Sequence, residues 1–493
     1  MENNTPIHLQ EIIFATSDHA LNRQLSKLEK DGQIKKIAPR IYTSNFNESE
    51  DLIIKRNIFS ILGKLYPGAV LSHRSALEFK PTSANQIFVT YTYTKKIELP
   101  GITIRFMEGN PAIEGDNPFS GELFVAQQER AFLENLQTSR QVGPTSKTLT
   151  LPEIENKLEQ IVQVKGEEGL NQFRDKAKEI AEKLGMPSEF EKLNKLISAL
   201  LTTKPSKILT SPIAVARALG NPYDKHRIEL FEKLFIELQQ QPYKVRKDVN
   251  TATPAFRNFA FFEAYFSNYI EGTIFEIEEA KSIIQTESPI PNRDEDSHDI
   301  LGTYKLVSNQ KEMNTTPSNP DELLTLLQYR HQLLLAARTS KKPGQFKDKN
   351  NRAGETHFVD HTLVRGTLIK GFDYYQALQE PFAKAAYILF MISEIHPFID
   401  GNGRIARVMM NAELVKANQT RIIIPTVYRD DYLGALRRLT RNDDPAVFIR
   451  MLQRAQEFSA TLVAHSMEAL ENQLTQSNAF KEHDEAKLKI LTK

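Results

Sequence analysis

The sequence predicts a mainly α-helical protein with a winged-helix, α+β region at its N-terminal end. Three observations carry this. Apolar residues recur at helical spacing through most of the second half, sustained strand-like alternation falls within the first 140 residues, and strong helix starts stand at Asn319-Pro320-Asp321-Glu322 and Asp444-Pro445. At 493 residues a single ordinary core is exceeded, and a length prior gives roughly three domains. We divide the chain into an N-terminal region at 1–140, a helical spacer at 141–245, a helical domain at 246–465 and a C-terminal tail at 466–493.

In the N-terminal region, Leu21, Leu25 and Leu28 recur at helical spacing, Gly32 stops that helix, and IKKIAPRIYT alternates as a β-wing. This is a winged helix-turn-helix pattern over about 8–45. Arg23, Lys27, Lys30, Lys35, Lys36 and Arg40 outnumber Glu29 and Asp31 there, a local cluster placed for a phosphate backbone. NQIFVTYTYTKKIELPGITIRF alternates as paired strands around Pro100-Gly101, and SGELFVAQQERAFLENL returns to helix. YPGAVLSHRSALEF and the winged helix before it resemble the N-terminal region of AbiE-type antitoxins and related regulators; His73 and Arg74 read as a surface turn before a helix. The spacer is rich in Lys and Glu and is broken at Pro205, Pro212, Pro222 and Pro242. PFAKAAYILFMISEI, at 381–395, is apolar on most faces and reads as a central buried helix. The segment beyond 475 reads as frayed.

Composition narrows the function. The 63 basic and 62 acidic side chains nearly cancel, so no global field advertises nucleic acid or membrane, and a basic patch must be local. Cysteine is absent, which excludes disulfides, thiolate catalysis and cysteine-ligated metal, and points to a cytoplasmic setting. MENNTPIHLQEIIF lacks the features of a targeting segment, and no run of eighteen apolar residues occurs, so no membrane partner is expected.

The chemistry concentrates in HPFIDGNGRIAR, His396–Arg407. His396 closes the buried helix, and a glycine turn opens the next one, RIARVMMNAELV. Ile405, Val408, Met409, Ala412 and Val415 form one stripe there and Arg404, Arg407 and Asn411 another, with the two arginines one turn apart. The N–H groups of Gly401 to Gly403 point out of that helix start, a ready anion site. Gly401-Asn402-Gly403-Arg404-Ile405-Ala406 also fits a dinucleotide fingerprint, but that must follow a strand, and here it follows a helix. No P-loop string occurs.

This stretch matches in full the motif H-x-F-x-[DE]-G-N-G-R-x-x-R of the Fic family, and the resemblance extends over about 246–465. It implies an all-helical core with a β-hairpin flap, and transfer of AMP from ATP to a hydroxyl of a target protein. Both Gly401 and Gly403 are intact, whereas the phosphate-transferring branch carries a lysine at one motif glycine. On this resemblance His396 is the general base. Asp400 holds Mg²⁺, Gly401, Asn402 and Gly403 cradle the α- and β-phosphates, and Arg404 and Arg407 clamp the β- and γ-phosphates.

The flap falls in KPGQFKDKNNRAGETHFVDHTLVRGTL, where ETHFVDHTLV alternates, so Phe358, Val359, Thr362 and Leu363 are expected to order the target by strand-like pairing. His357 and His361 stand four apart, but no helix or third ligand supports zinc. SNYIEG, Ser267–Gly272, fits the family's inhibitory pattern [ST]-x-x-x-E-[GN]. It lies at the end of the aromatic helix expected at 256–271, N-terminal to the core, and implies that Glu271 pairs with Arg407 and blocks the productive nucleotide pose. Gly272 also reads as the residue that ends this helix. Three functions follow: an autoinhibited AMP-transferase, a DNA-binding regulator that uses the domain as a nucleotide sensor, or removal of AMP through a water held by Glu271. The acceptor protein and any duplex DNA site are unnamed by the sequence, and a homodimer stays open.

Overall fold

The computed structural model describes residues 6–201 and 208–491, which fall into two compact units, Met1–Leu219 and Gly220–Lys493. In the first, β1 (Ile13–Phe14), β2 (Lys35–Ala38) and β3 (Ile41–Thr43) form a sheet in the order β1-β3-β2 beside α1 (His19–Lys30). Asp18 caps α1 by accepting from the Ala20 N–H at 2.8 Å. Leu21, Leu25 and Leu28 pack on Ile13 and Ile34. Helix and wing are present as expected. In place of an earlier α-helix stands one 3-10 turn, Ile7–Leu9, because Ile13 and Phe14 pair with β3 instead.

After α2 (Glu50–Arg56) and α3 (Ile58–Leu65) come β4 (Val70–Leu71), α4 (His73–Glu78), β5 (Gln86–Tyr91), β6 (Lys95–Leu99), β7 (Ile102–Glu108), β8 (Asn117–Ser120) and β9 (Leu123–Val125). They build a mixed sheet in the order β6-β7-β5-β4-β9-β8. The turn at Pro100-Gly101 sets Leu99 opposite Ile102. His73 and Arg74 are buried, not a surface turn. The His73 backbone N–H donates to Glu134 (2.8 Å) and Arg74 pairs with Glu78. Glu134 lies sixty-one residues from His73 in sequence, out of reach of a local reading, whereas Glu78 is only four from Arg74.

The expected spacer is not a layer of its own. After α5 (Gln128–Asn135), α6 (Leu151–Leu184, interrupted at Gly166), α7 (Pro187–Leu201) and α8 (Pro212–Ala218) share a core around Phe132, Leu158, Leu170 and Leu196 in the first unit. In contrast, α9 (Lys225–Gln240) packs in the second. Both halves are amphipathic, so each was drawn into the nearest apolar core. Pro212 begins α8, while Pro205 lies outside the described residues.

The second unit is helical: α10 (Thr253–Ile270), α11 (Ile277–Thr286), α12 (Asp294–Val307), α13 (Gln310–Met313), α14 (Pro320–Leu334), α15 (Val364–Ala377), α16 (Pro381–Ile395), α17 (Asn402–Lys416), α18 (Arg429–Asn442), α19 (Pro445–Ser459) and α20 (Met467–Gln476). Asn319 caps α14 by accepting from the Glu322 N–H, and Asp444 caps α19 by accepting from Ala446. As expected, α16 runs through the middle of the core, where Ala385 to Ile392 are buried. Its proline start and the positive φ of His396 (52°) fix both ends. One short hairpin, β10 (Arg352–Ala353) with β11 (Thr356–His357), interrupts the helices.

The tail is ordered where fraying was expected. Ser477 and Ala479 are buried, Phe480 stacks on Phe266 of α10 (5.2 Å, 28°), and Glu482 accepts a hydrogen bond from Tyr269. Its polar composition concealed the few residues that dock. No helix among the described residues is long and apolar enough to cross a membrane.

Candidate active site

The turn between α16 and α17 is built by a polar cage around Phe398. Asn402 accepts from the Phe398 N–H (2.8 Å) and donates to its carbonyl (2.9 Å). His331 of α14 stacks flat on the Phe398 ring (3.7 Å, 3°) and is fixed by the Gly344 N–H on one side and the Asp400 carbonyl on the other. Burial pushes the His331 imidazole down to about 4, so it is a neutral strut. Gly401 has φ 74°, which a side chain would strain. Its N–H donates to Asp400 at 2.7 Å.

His396 leaves the end of α16 with Nδ1 only 2.8 Å from the Ser393 carbonyl. A carbonyl only accepts, so Nδ1 carries the proton and Nε2 keeps its lone pair. Burial lowers the ring to about 4, leaving it unprotonated at neutral pH. Phe358 lies face to face on it, 3.5 Å between centroids. Lys347 is buried beside the turn, donates to Asn351 and the Ile395 carbonyl, and is lowered by burial to about 8.

Next to this histidine, α10 and α17 meet in a register of four. Glu263 accepts from Asn411 (2.8 Å), and Ser267 accepts from Arg407 through both hydroxyl (2.9 Å) and carbonyl (2.8 Å). Glu271, at the end of α10, pairs with Arg407 at 2.7 Å. The three α10 residues recur at i, i+4 and i+8, matching Asn411, Arg407 and Gly403 in reverse. A Cβ at Gly403 would stand 2.2 Å from the Glu271 carboxylate. The Glu271 carboxylate therefore lies against the first turn of α17 and is held there by Arg407. Burial raises the Glu271 pKa, but the Arg407 charge and hydrogen bond outweigh it and hold the group below its ordinary value.

A cleft of about 460 Å³ opens on this centre, lined by His396, Gly403, Arg407 and Glu271, by Phe358 and Glu394, and by Leu433, Leu436, Arg437, Thr440 and Arg441 of α18. An unprotonated imidazole beside a helix start, with an arginine and a carboxylate against that start, suits acyl or phosphoryl-type transfer from an anionic ligand. A family model described as the Fic/DOC family matches residues 321–414. The chain carries a Fic domain. A protein adenylyltransferase Fic of Culex quinquefasciatus is 28% identical over 196 residues, covering 38% of each chain. One of Drosophila willistoni is 26% identical over 239 residues, covering 46% of each. The chain thus spans less than half the length of these curated relatives. Among solved structures, a Fic-1 segment (134–508) from C. elegans aligns at 17% identity with TM-score 0.37, covering 67% of this chain and 90% of that one.

Within the Fic domain, the residues nominated from sequence separate into two groups. His396, Gly403, Arg407, Ser267 and Glu271 converge on the cleft or its edge. Asn402 and Arg404 do not. Both polar atoms of the Asn402 side chain are spent on Phe398, and Arg404 is buried against Asp299 at 2.7 Å. The sequence shows the right helix face, but Asp299 arrives from a distant helix. Asp400 keeps its carboxylate half-open, 3.6 Å from Lys341.

The flap also differs from expectation. The paired strands are Arg352–Ala353 and Thr356–His357, so only the start of the alternating run is paired; Ala353, Gly354 and Thr356 of the hairpin line the cleft, and of the four nominated residues Phe358 alone joins them. Val359 and Leu363 are buried, and Thr362 donates to Asp360 in a 3-10 turn. Apolar alternation there reflects core packing, which outweighs strand pairing. Ser393, Lys347, Glu394 and the α18 face were missed. The α18 residues recur at i, i+3 and i+7, but that spacing reads as any amphipathic helix. Among the N-terminal candidates, Arg23, Lys27, Lys30, Lys36 and Arg40 are exposed and Lys35 lies over Phe46 at 5.8 Å.

Proposed function

We propose that this protein transfers AMP from ATP to a Ser, Thr or Tyr hydroxyl of a target protein, and that Glu271 holds it off. The observation that carries the reading is the Glu271 carboxylate seated against Gly403 and Arg407, where a nucleotide phosphate would bind. With Glu271 displaced, the start of α17 receives phosphate oxygens and Arg407 turns from carboxylate to nucleotide. Phe358, Leu433 and Leu436 offer apolar surface in the cleft to the base. Unprotonated Nε2 of His396 accepts the proton of the incoming hydroxyl, whose oxygen bonds to the α-phosphorus as the bond to the β-phosphate breaks, and pyrophosphate leaves.

Asp400 offers one open carboxylate, and the described residues hold no group of three or more metal-binding side chains. One open carboxylate fits Mg²⁺ completed by phosphate oxygens; Asp400 would hold the ion, which would supply neutralisation of phosphate charge. The cysteine-free chain supports a cytoplasmic setting.

Incubation with ATP labelled at the α-phosphate tests the reading. Label is expected on protein with Glu271→Gly, little with wild type and none when His396→Ala is added. Equal labelling in all three overturns it. Loss of label from a pre-modified target, dependent on Glu271, assigns removal of AMP instead. A second reading concerns the first unit. None of its six nominated cations is paired with an acid among the described residues, which supports duplex DNA binding by α1 and the wing.

A further inference from the structure

An open groove of about 570 Å³ lies in the first unit, between the β5-β7-β6 part of the large sheet and the 138–147 loop. Lys95, Lys96, Arg105, Arg140 and Lys147 line it, with no carboxylate among the lining residues. Hydroxyls of Thr94, Thr138, Ser139 and Thr145 stand between them. The cations are not spaced for the fold's comfort. In the antiparallel β6–β7 ladder Lys96 is directly opposite Arg105, and like charges in that position destabilise a sheet. Glu98 relieves Lys96 from along its own strand at 2.5 Å but is 71% exposed. Arg105 has no acidic partner among the described residues. Lys147 is half-buried, donates to Gln137 at 2.7 Å and has its pKa lowered by burial. An oxyanion in the groove would relieve all three strains at once.

The lining also indicates which anion. Its aromatic members, Phe88 and Phe106, are each only 2% exposed, so no ring is offered to a nucleobase. Cations and hydroxyls along an open channel suit a repeating phosphate and sugar chain. We propose that this groove binds the sugar-phosphate backbone of a nucleic acid, with Lys96, Arg105 and Arg140 on successive phosphates. The site is separate from the α1 cluster and does not depend on the Fic domain.

The test titrates the full-length chain with a labelled mixed-sequence duplex over a series of KCl concentrations. Lys96→Ala/Arg105→Ala/Arg140→Ala is expected to weaken binding and to flatten the slope of log K against log salt by up to about 2.7, at about 0.9 for each phosphate no longer neutralised. Lys96→Glu controls for folding. It sets an acid opposite Arg105, so melting temperature should hold or rise while binding falls. Lys27→Ala/Lys30→Ala should weaken binding independently, adding to the groove variant in log K. The proposal is overturned if wild type binds no duplex, if it binds ATP or inorganic polyphosphate but not duplex, or if the triple variant keeps both slope and affinity. These readouts do not use transfer activity, so they stand or fall apart from the adenylyltransferase reading.

Discussion

Glu271→Gly should make the protein less stable and more active. The change removes a 2.7 Å charge-assisted hydrogen bond to Arg407. Breaking a buried pair commonly costs ~3–5 kcal/mol. Here Glu271 is 30% exposed, and Arg407 keeps both bonds to Ser267, so the cost falls lower, at about 2–3 kcal/mol. In a unit this large that lowers the melting temperature by roughly 4–6 °C. The same energy no longer opposes the nucleotide at the start of α17. It corresponds to an upper bound of roughly 30- to 150-fold in productive binding. Self-modification with α-labelled ATP, at equal folded concentration, reads the gain. The double variant Glu271→Gly/Arg407→Ala should lose it, because both changes act on one ion pair. Gly403→Ala should not imitate the release, since its methyl occupies the anion site it would vacate. No gain in the single variant, or a gain that survives removal of Arg407, would refute the reasoning and leave SNYIEG as a helix end.

In the brake-released background, His396→Ala should lower transfer by ~10²–10⁴-fold with the melting temperature nearly unchanged; wild-type labelling would dismiss it as the base. The His331 pKa of about 4 lies below the ordinary 6.5, so the unfolded chain takes up a proton first as pH falls. Its contribution to stability is complete above about pH 6.5 and is lost towards pH 4, amounting to about 2 kcal/mol by pH 5. Urea unfolding at pH 7 and pH 5 measures this, and His331→Asn should show a shallower pH dependence. Phe480→Ala with Glu482→Gln should loosen the end of α10 and give partial activation, smaller than Glu271→Gly; unchanged labelling would reduce the tail to packing.

Much of the candidate site was legible because it rests on local spacing. Residues 396 to 407 lie on one turn and one helix start, so backbone geometry alone sets His396, Gly403 and Arg407 near each other. The caps at Asn319 and Asp444 were legible for the same reason, each being satisfied within three residues. The Glu271–Arg407 pair was only half legible. Glu263, Ser267 and Glu271 share a face of α10 by their spacing, yet nothing local says which helix meets that face.

By itself, then, the sequence determined helix starts and ends, the β6–β7 turn, the histidine at the end of α16 and the glycine turn after it, all of which depend on neighbours a few residues away. The tertiary structure alone decided that Arg404 spends its charge on Asp299, that Asn402 holds Phe398, that Phe358 rather than the rest of its run covers His396, and that the tail clasps α10. Apart from the Asn402 cage, each of these pairs groups between about forty and over two hundred residues apart in the chain. A charged or aromatic side chain can satisfy itself with any complementary partner that packing brings within a few ångströms. Local periodicity specifies which face is offered, and the competition for buried partners settles what occupies it.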